Sequence, residues 1–280
     1  MRASTLREMS VTVAGVRSPV LEGGRASDEA VVFVHGNPGS SRDWSDLAGR
    51  ASEFARVVAI DMPGFGRADK PADFDYTVEG YARHLDGALT ELGVARAHLV
   101  LHDFGGPWGL EWAAGHAERL ASVVLIGTGV LPGYRWHFFA RVWRTPMLGE
   151  AFMATASRPA FRLLLRRGNA RLPRSHADLM YDDFDRATRR AVLRLYRATP
   201  HPDRDAGRYT AALRPLDVPA LVVWGKTDPY LPVRLAERQR EAFPRARIVV
   251  LEASGHWPYA DDPEATAAAV VPFLREQVSG

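Results

Sequence analysis

Three ionisable side chains stand where apolar runs stop, in an order that suits hydrolysis through a covalent intermediate. Asp103 lies in His102-Asp103-Phe104-Gly105-Gly106, directly after the run Ala97-His98-Leu99-Val100-Leu101. Asp228 closes Gly225-Lys226-Thr227-Asp228 after a later run, and His256 lies in Gly255-His256-Trp257 after the last one. A fourth polar turn, His35-Gly36-Asn37-Pro38, ends the first run. Nucleophile, then an acid that orients a histidine, then the histidine itself is a workable chain order for such chemistry. Taken singly, each residue has a plainer use. Asp103 could cap a helix beginning near Gly105, Asp228 could form an Asp-Pro turn, and His256 could be a polar loop residue. Their joint placement at strand ends favours the functional set.

The elements that must position these residues are readable from hydrophobic pattern. Ala30–Val34, Val57–Ile60, Ala97–Leu101, Ser122–Ile126, Ala220–Trp224 and Ile248–Leu251 are short apolar runs of buried-strand type. Trp44–Phe54, Val78–Leu92 and Pro107–His116 carry helical spacing between them, and an amphipathic helix is expected over Pro263–Val278. That alternation predicts βαβ units, hence an α/β fold with a mostly parallel central sheet flanked by helices. Between Leu131 and Arg214 the rhythm changes to Arg-rich helical patterns punctuated by Pro146, Pro159, Pro173 and Pro200. The expected organisation is a core of residues 1–130 and 215–280 with an all-helical cap, residues 131–214, over the carboxyl edge of the sheet. Ligands bind at that edge in open α/β sheets.

The motifs together resemble the α/β-hydrolases, specifically the epoxide hydrolase and haloalkane dehalogenase group. The resemblance runs over essentially the whole chain. It rests on His35-Gly36-Asn37-Pro38, Asp61-Met62-Pro63-Gly64-Phe65-Gly66, Asp69-Lys70-Pro71, His102-Asp103-Phe104-Gly105-Gly106, Gly225-Lys226-Thr227-Asp228 and Gly255-His256, in that order. It implies the α/β-hydrolase fold and a triad of Asp103, Asp228 and His256. An Asp at the elbow, where esterases carry Ser, is already ionised at neutral pH and needs no base to attack. Such a carboxylate suits displacement at saturated carbon, leaving an alkyl ester on Asp103. His256, oriented by Asp228, would then deprotonate the water that hydrolyses the ester. Backbone N–H groups of Asn37 and Phe104 would hold the oxyanion.

Leaving-group assistance decides between substrates. Epoxide hydrolases use a cap tyrosine as acid, and Leu195-Tyr196-Arg197 resembles the segment that carries it, so Tyr196 is the first candidate and Tyr134 the second. Haloalkane dehalogenases hold the halide with N–H donors. Asn37 matches one of them, but Phe104 replaces the tryptophan that commonly follows the nucleophile, so Trp136 would have to substitute. Phe104 also departs from the arginine that haloacetate dehalogenases place there. Trp108 and Trp257, close to the triad in sequence, are expected to line the pocket. Epoxide hydrolysis is therefore the first reading, with cleavage of a carbon–halogen bond as the alternative. A ligand receptor or a non-hydrolytic biosynthetic enzyme on the same fold ranks below both, because fold alone does not fix function.

Composition narrows the remaining classes. The 280 residues are 46% hydrophobic and 25% charged, which excludes extended disorder. Cys is absent, so thiol nucleophiles, disulfides and Cys-ligated zinc are excluded. No metal-ligand spacing or Walker loop occurs, and the resemblance implies that no cofactor is needed. The net charge of +3 conceals a local excess, with 17 Arg against 7 acidic residues between Leu131 and Arg214. A solvated helical face is the simpler reading of that segment; attraction of anionic ligands or a partner is the other. A small-molecule substrate is expected, with neither nucleic acid nor membrane as partner, and a homodimer is allowed. The opening MRASTLREMSVTVAGV lacks the basic-then-apolar pattern of a signal peptide, so a cytoplasmic location is expected.

Overall fold

Each of the six apolar runs, four or five residues long, forms a strand, and with two further strands at the amino end they assemble into one eight-stranded sheet. The computed structural model describes residues 6–167 and 169–278, so the first five residues of the stretch read for a signal sequence lie outside the described residues. The strands are β1 (Arg7–Val13), β2 (Val16–Gly23), β3 (Glu29–Val34), β4 (Val57–Ile60), β5 (Arg96–His102), β6 (Leu120–Ile126), β7 (Ala220–Gly225) and β8 (Arg247–Leu251). Their order across the sheet is β1-β2-β4-β3-β5-β6-β7-β8. From β4 to β8 all pairs are parallel, whereas β1–β2 and β2–β4 are antiparallel. β4, β6 and β7 are buried along their whole length, as expected when helices cover both faces of a parallel sheet.

The helices fill the intervals the pattern predicts. α1 (Ser45–Ala51) follows β3, α2 (Val78–Glu91) follows β4, and α3 (Gly105–Gly115) follows β5. Thr77 starts α2 by accepting the Gly80 N–H on its side-chain oxygen. After β6 come six helices: α4 (Phe138–Arg144), α5 (Leu148–Ala154), α6 (Arg158–Arg166), α7 (Arg174–Asp182), α8 (Arg186–Ala198) and α9 (Ala206–Leu213). The chain closes with α10 (Arg234–Arg238), α11 (Pro258–Asp261) and α12 (Pro263–Val278). No described helix is long and apolar enough to cross a membrane.

The helical insert is tied to the sheet-bearing part by charge as well as by apolar packing. Arg42 meets Asp183 at 2.5 Å, Arg204 meets Glu79 at 3.3 Å, and Arg208 pairs with Glu111. Within the insert Arg162 pairs with Asp178 and Arg197 with Glu150. Exposed pairs of this kind add little stability, because water screens them and two long side chains lose freedom in making them. They give many of the excess arginines an ordinary surface use.

The N-terminal hairpin was not expected. β1 and β2 are joined by Ala14-Gly15, both with positive φ (48° and 81°), the backbone that a tight two-residue hairpin turn demands.

Candidate active site

Asp103 sits on the sharp turn between β5 and α3 with φ 48°, a left-handed conformation that a non-glycine residue keeps only under constraint. Two bonds to its carbonyl impose it, from Gly106 N–H at 2.9 Å and from the Thr128 hydroxyl at 2.6 Å. Close packing leaves no room for side chains around the turn. A Cβ on Gly36 would lie 2.4 Å from that of Asp103, and one on Gly105 would lie 2.3 Å from the Val34 carbonyl oxygen. The turn thus pushes the carboxylate out at the carboxyl edge of the sheet, next to the amino end of α3, whose dipole favours a negative charge.

Asp228 and His256 reach the same point from the ends of β7 and β8. His256 Nδ1–H donates to Asp228 Oδ2 at 2.7 Å, and its Nε2 lies 3.4 Å from Asp103 Oδ2. Because Asp228 offers only acceptors, the Nδ1 hydrogen is fixed. The other Asp228 oxygen accepts the Tyr230 and Leu231 N–H groups at 2.8 and 2.9 Å, which locks the carboxylate plane. Asn37 N–H donates to Asp103 Oδ1 at 2.7 Å. His35 braces that turn, donating from Nδ1 to the Gly36 carbonyl and accepting the Met62 N–H at Nε2.

Burial opposes charge on both central groups, but their mutual attraction prevails. Desolvation alone would lower the His256 pKa; Asp228 and Asp103 together raise it from 6.5 to about 10. Desolvation would likewise raise that of Asp103, yet His256 and the Asn37 N–H bring it down to about 2. At neutral pH the resting pair is therefore carboxylate and imidazolium. The sign for stability follows. A raised histidine pKa contributes stability that is complete below 6.5 and disappears as pH rises through about 10. Urea midpoints measured from pH 6 to 11 are expected to fall more steeply for the wild type than for His256→Gln. Parallel curves would contradict the imidazolium assignment.

A cavity of about 390 Å³ opens in front of Asp103, within the range of small-molecule sites. Asn37, Phe104, Tyr134, Trp136, Tyr196, His256 and Trp257 line it. Tyr196 comes from α8 and is buried; its hydroxyl accepts from Asn37 Nδ2 at 3.4 Å, and among the described residues none accepts its own proton. Burial and the Asp103 charge push its pKa well above 10, so it stays protonated.

Three expectations need correction. Trp108 lies in the core, stacked on Tyr81 with ring centroids 4.1 Å apart, and is fully buried rather than in the cavity wall. Pro107 takes the wall position, and the next residue points about 100° further round the helix. Tyr134 donates its hydroxyl hydrogen to the Tyr230 carbonyl at 3.0 Å, so it has none for a substrate. Trp136 covers Phe104 with its ring, but its indole N–H donates to the Thr199 carbonyl at 2.8 Å.

His137 is a cavity residue that sequence reasoning passed over. It caps α4, its Nδ1 accepting the Ala140 N–H at 3.3 Å. Burial lowers its pKa to about 4, so the ring is neutral with its hydrogen on Nε2, where it is a donor. A histidine helix cap has no sequence signature that distinguishes it from any other histidine. Among the described residues no group of three or more His, Asp or Glu is arranged to hold a metal ion.

Comparison with known proteins gives the family of the chain. The family model for the alpha/beta hydrolase fold matches residues 29–263. The chain is similar to a cis-3-alkyl-4-alkyloxetan-2-one decarboxylase of Xanthomonas campestris, 28% identical with 93% of each protein covered. It is similar to a 2-hydroxy-6-oxononadienedioate/2-hydroxy-6-oxononatrienedioate hydrolase of Burkholderia vietnamiensis, 27% identical over 89% of this chain and 88% of that protein. Among solved structures, the haloalkane dehalogenase DbeA of Bradyrhizobium elkani superposes with a TM-score of 0.86 at 25% identity, covering 98% of this chain and 99% of that one. With the family match spanning most of its length, the protein belongs to the alpha/beta hydrolase fold family.

Proposed function

We propose that this hydrolase opens an epoxide to a vicinal diol through an alkyl ester on Asp103, with residues 131–214 acting as the cap that supplies the acid. One observation carries the preference for an epoxide. Tyr196 presents a buried, protonated hydroxyl to the Asp103 cavity, its hydrogen accepted by none of the described residues, whereas the Tyr134 hydroxyl and the Trp136 N–H are spent on backbone carbonyls. An alkoxide leaving group needs a proton; a halide does not.

The steps balance internally. Asp103 Oδ2 forms a bond to one epoxide carbon, the C–O bond breaks, and Tyr196 protonates the oxygen released. Esterification removes the Asp103 charge, one of the two that hold the His256 proton, so His256 returns a proton to the tyrosinate and becomes a base. It then takes a proton from water, and the hydroxide attacks the ester carbonyl. The oxyanion forms on the oxygen that Asn37 N–H already contacts. Collapse breaks the ester C–O bond, and the departing alkoxide takes a proton from the His256 imidazolium to complete the diol. The new Asp103 carboxyl passes its proton to His256, which restores carboxylate and imidazolium. Phe104 packs edge-on against Tyr196, ring centroids 5.1 Å apart, and holds its ring in place.

Cleavage of a carbon–halogen bond is the second reading. It is favoured by the likeness to DbeA and by two N–H groups at the cavity, Asn37 Nδ2 and His137 Nε2. Tyr196→Phe separates the two. It is expected to slow epoxide opening by about 100-fold or more, the contribution of a positioned general acid, and to leave halide release from a bromoalkane within a small factor. Equal effects would remove Tyr196 from the acid role. The assay pairs wild type with Asp103→Ala on aryl and alkyl epoxides, haloalkanes, haloacetates and a dialkyl oxetan-2-one, following diol, halide and carbon dioxide separately. Diol from wild type alone supports the proposal. Halide from wild type alone replaces it with the second reading.

A further inference from the structure

His256 is held at both ends of its own peptide. On one side its carbonyl accepts a hydrogen bond from His102 Nε2 at 2.8 Å, and His102 is the residue before Asp103. On the other, its backbone N–H donates to Asn169 Oδ1 at 2.7 Å. Asn169 does not belong to the sheet or its flanking helices. It lies in the loop between α6 and α7 and is fully buried. Its Nδ2 donates to the Leu165 carbonyl at 2.7 Å, in the last turn of α6, so one amide joins that helix to the histidine loop. Phe161, Leu164 and Leu165 of α6 also line the cavity.

We infer that Asn169 is a positioning residue for His256, through which the seating of the helical insert sets the geometry of the ester-hydrolysing half-reaction. The physical reason is leverage. The imidazole must bridge Asp228 at 2.7 Å and still face Asp103 at 3.4 Å, and small rotations of its backbone spoil one contact or the other. A buried N–H that loses its acceptor seeks another and drags the loop with it. The first half-reaction needs only Asp103 and the leaving-group acid, neither of which Asn169 touches. This assignment rests on the two-step reading above, and its consequence is asymmetric: loss of the amide harms hydrolysis of the ester, not its formation.

The test uses Asn169→Ala, Asn169→Leu, which fills the space without an acceptor, and Asn169→Asp, which keeps the acceptor oxygen. Two readouts apply. One is the low-field proton resonance of the His256–Asp228 hydrogen bond, which needs no substrate. The other is intact-protein mass spectrometry after mixing with styrene oxide or 1-bromobutane, with His256→Gln as reference. The Ala and Leu variants are expected to lose or broaden the resonance, to form adduct within about twofold of the wild-type rate, and to hydrolyse it about 10- to 100-fold more slowly. Asn169→Asp is expected to recover part of both signals, and it carries the comparison with Asn169→Leu if the Ala variant does not fold. An unchanged resonance in the Leu variant, or equal slowing of both half-reactions, overturns the inference. Adduct missing even from His256→Gln overturns the two-step reading instead, and the resonance still decides Asn169.

Discussion

Asp103→Ala is expected to lower turnover of every substrate the protein accepts by about 10⁴-fold or more, because no other group can form the covalent intermediate. The neighbouring carboxylate cannot substitute. Asp228 lies behind His256, with its oxygens committed to the imidazole and to the Tyr230 and Leu231 N–H groups. The variant should fold, since the alanine side chain still fits the positive-φ turn held by Gly106 and Thr128. It also removes one of the two carboxylates flanking His256, so the imidazole pKa should drop from about 10 toward its ordinary value, visible by NMR titration. A variant that keeps more than one per cent of wild-type activity would mean that water attacks the substrate directly.

His256→Gln is expected to separate the two halves of the reaction. Ester formation needs the Asp103 carboxylate and a proton donor. The Tyr196 hydroxyl remains, and Asp103 keeps its Asn37 N–H but loses the His256 charge, so the variant is best assayed above neutral pH. Ester hydrolysis loses its base and should slow by about 10²- to 10⁴-fold. The protein should therefore gain the mass of one substrate within the first turnover and hold it, with the label on the peptide containing Asp103. A single turnover of wild type in ¹⁸O-water gives the complementary result. Water attacks the ester carbonyl, so the heavy oxygen enters Asp103 and the first product molecule carries none. Label in the first product and none in the protein would exclude the alkyl ester.

Much of this site was legible because its polar residues interrupt short apolar runs of strand type, buried in all but the edge strand β8. His35, Asp103, Asp228 and His256 each follow such a run, so a parallel sheet brings them to one edge whatever the rest of the chain does. The features that were not legible share a cause. β1 does alternate, Met9-Ser10-Val11-Thr12-Val13, but most of its positions are exposed, so a reading that looks for continuous apolar runs passes over the first hairpin. Trp108 was assigned by closeness in sequence, but α3 turns that residue into the core. The Tyr134 hydroxyl and the Trp136 N–H were judged by residue type, and partners 63 to 96 positions away in the chain decide whether their hydrogens are free. Asn169 acts through a bond to a loop 87 positions away, and His137 through a cap on its own helix that no residue type announces.

The position of the insert also governs how the chain reaches its native state. β6 ends at Ile126 and its parallel neighbour β7 begins at Ala220, so joining them closes a loop of about 90 residues. The length-dependent entropy of that closure is about 4 kcal/mol, a cost that precedes any contact β7 makes. Synthesis from the amino end delivers β1 to β6, with Asp103 on its turn, well before β7 and β8 exist. A nascent or clipped chain would thus carry the nucleophile without Asp228 and His256. Should such a fragment react, it would stop at the ester, a suicide product of its own substrate. On the proposed mechanism, turnover therefore waits for the last two strands, which bring Asp228 and His256 to Asp103.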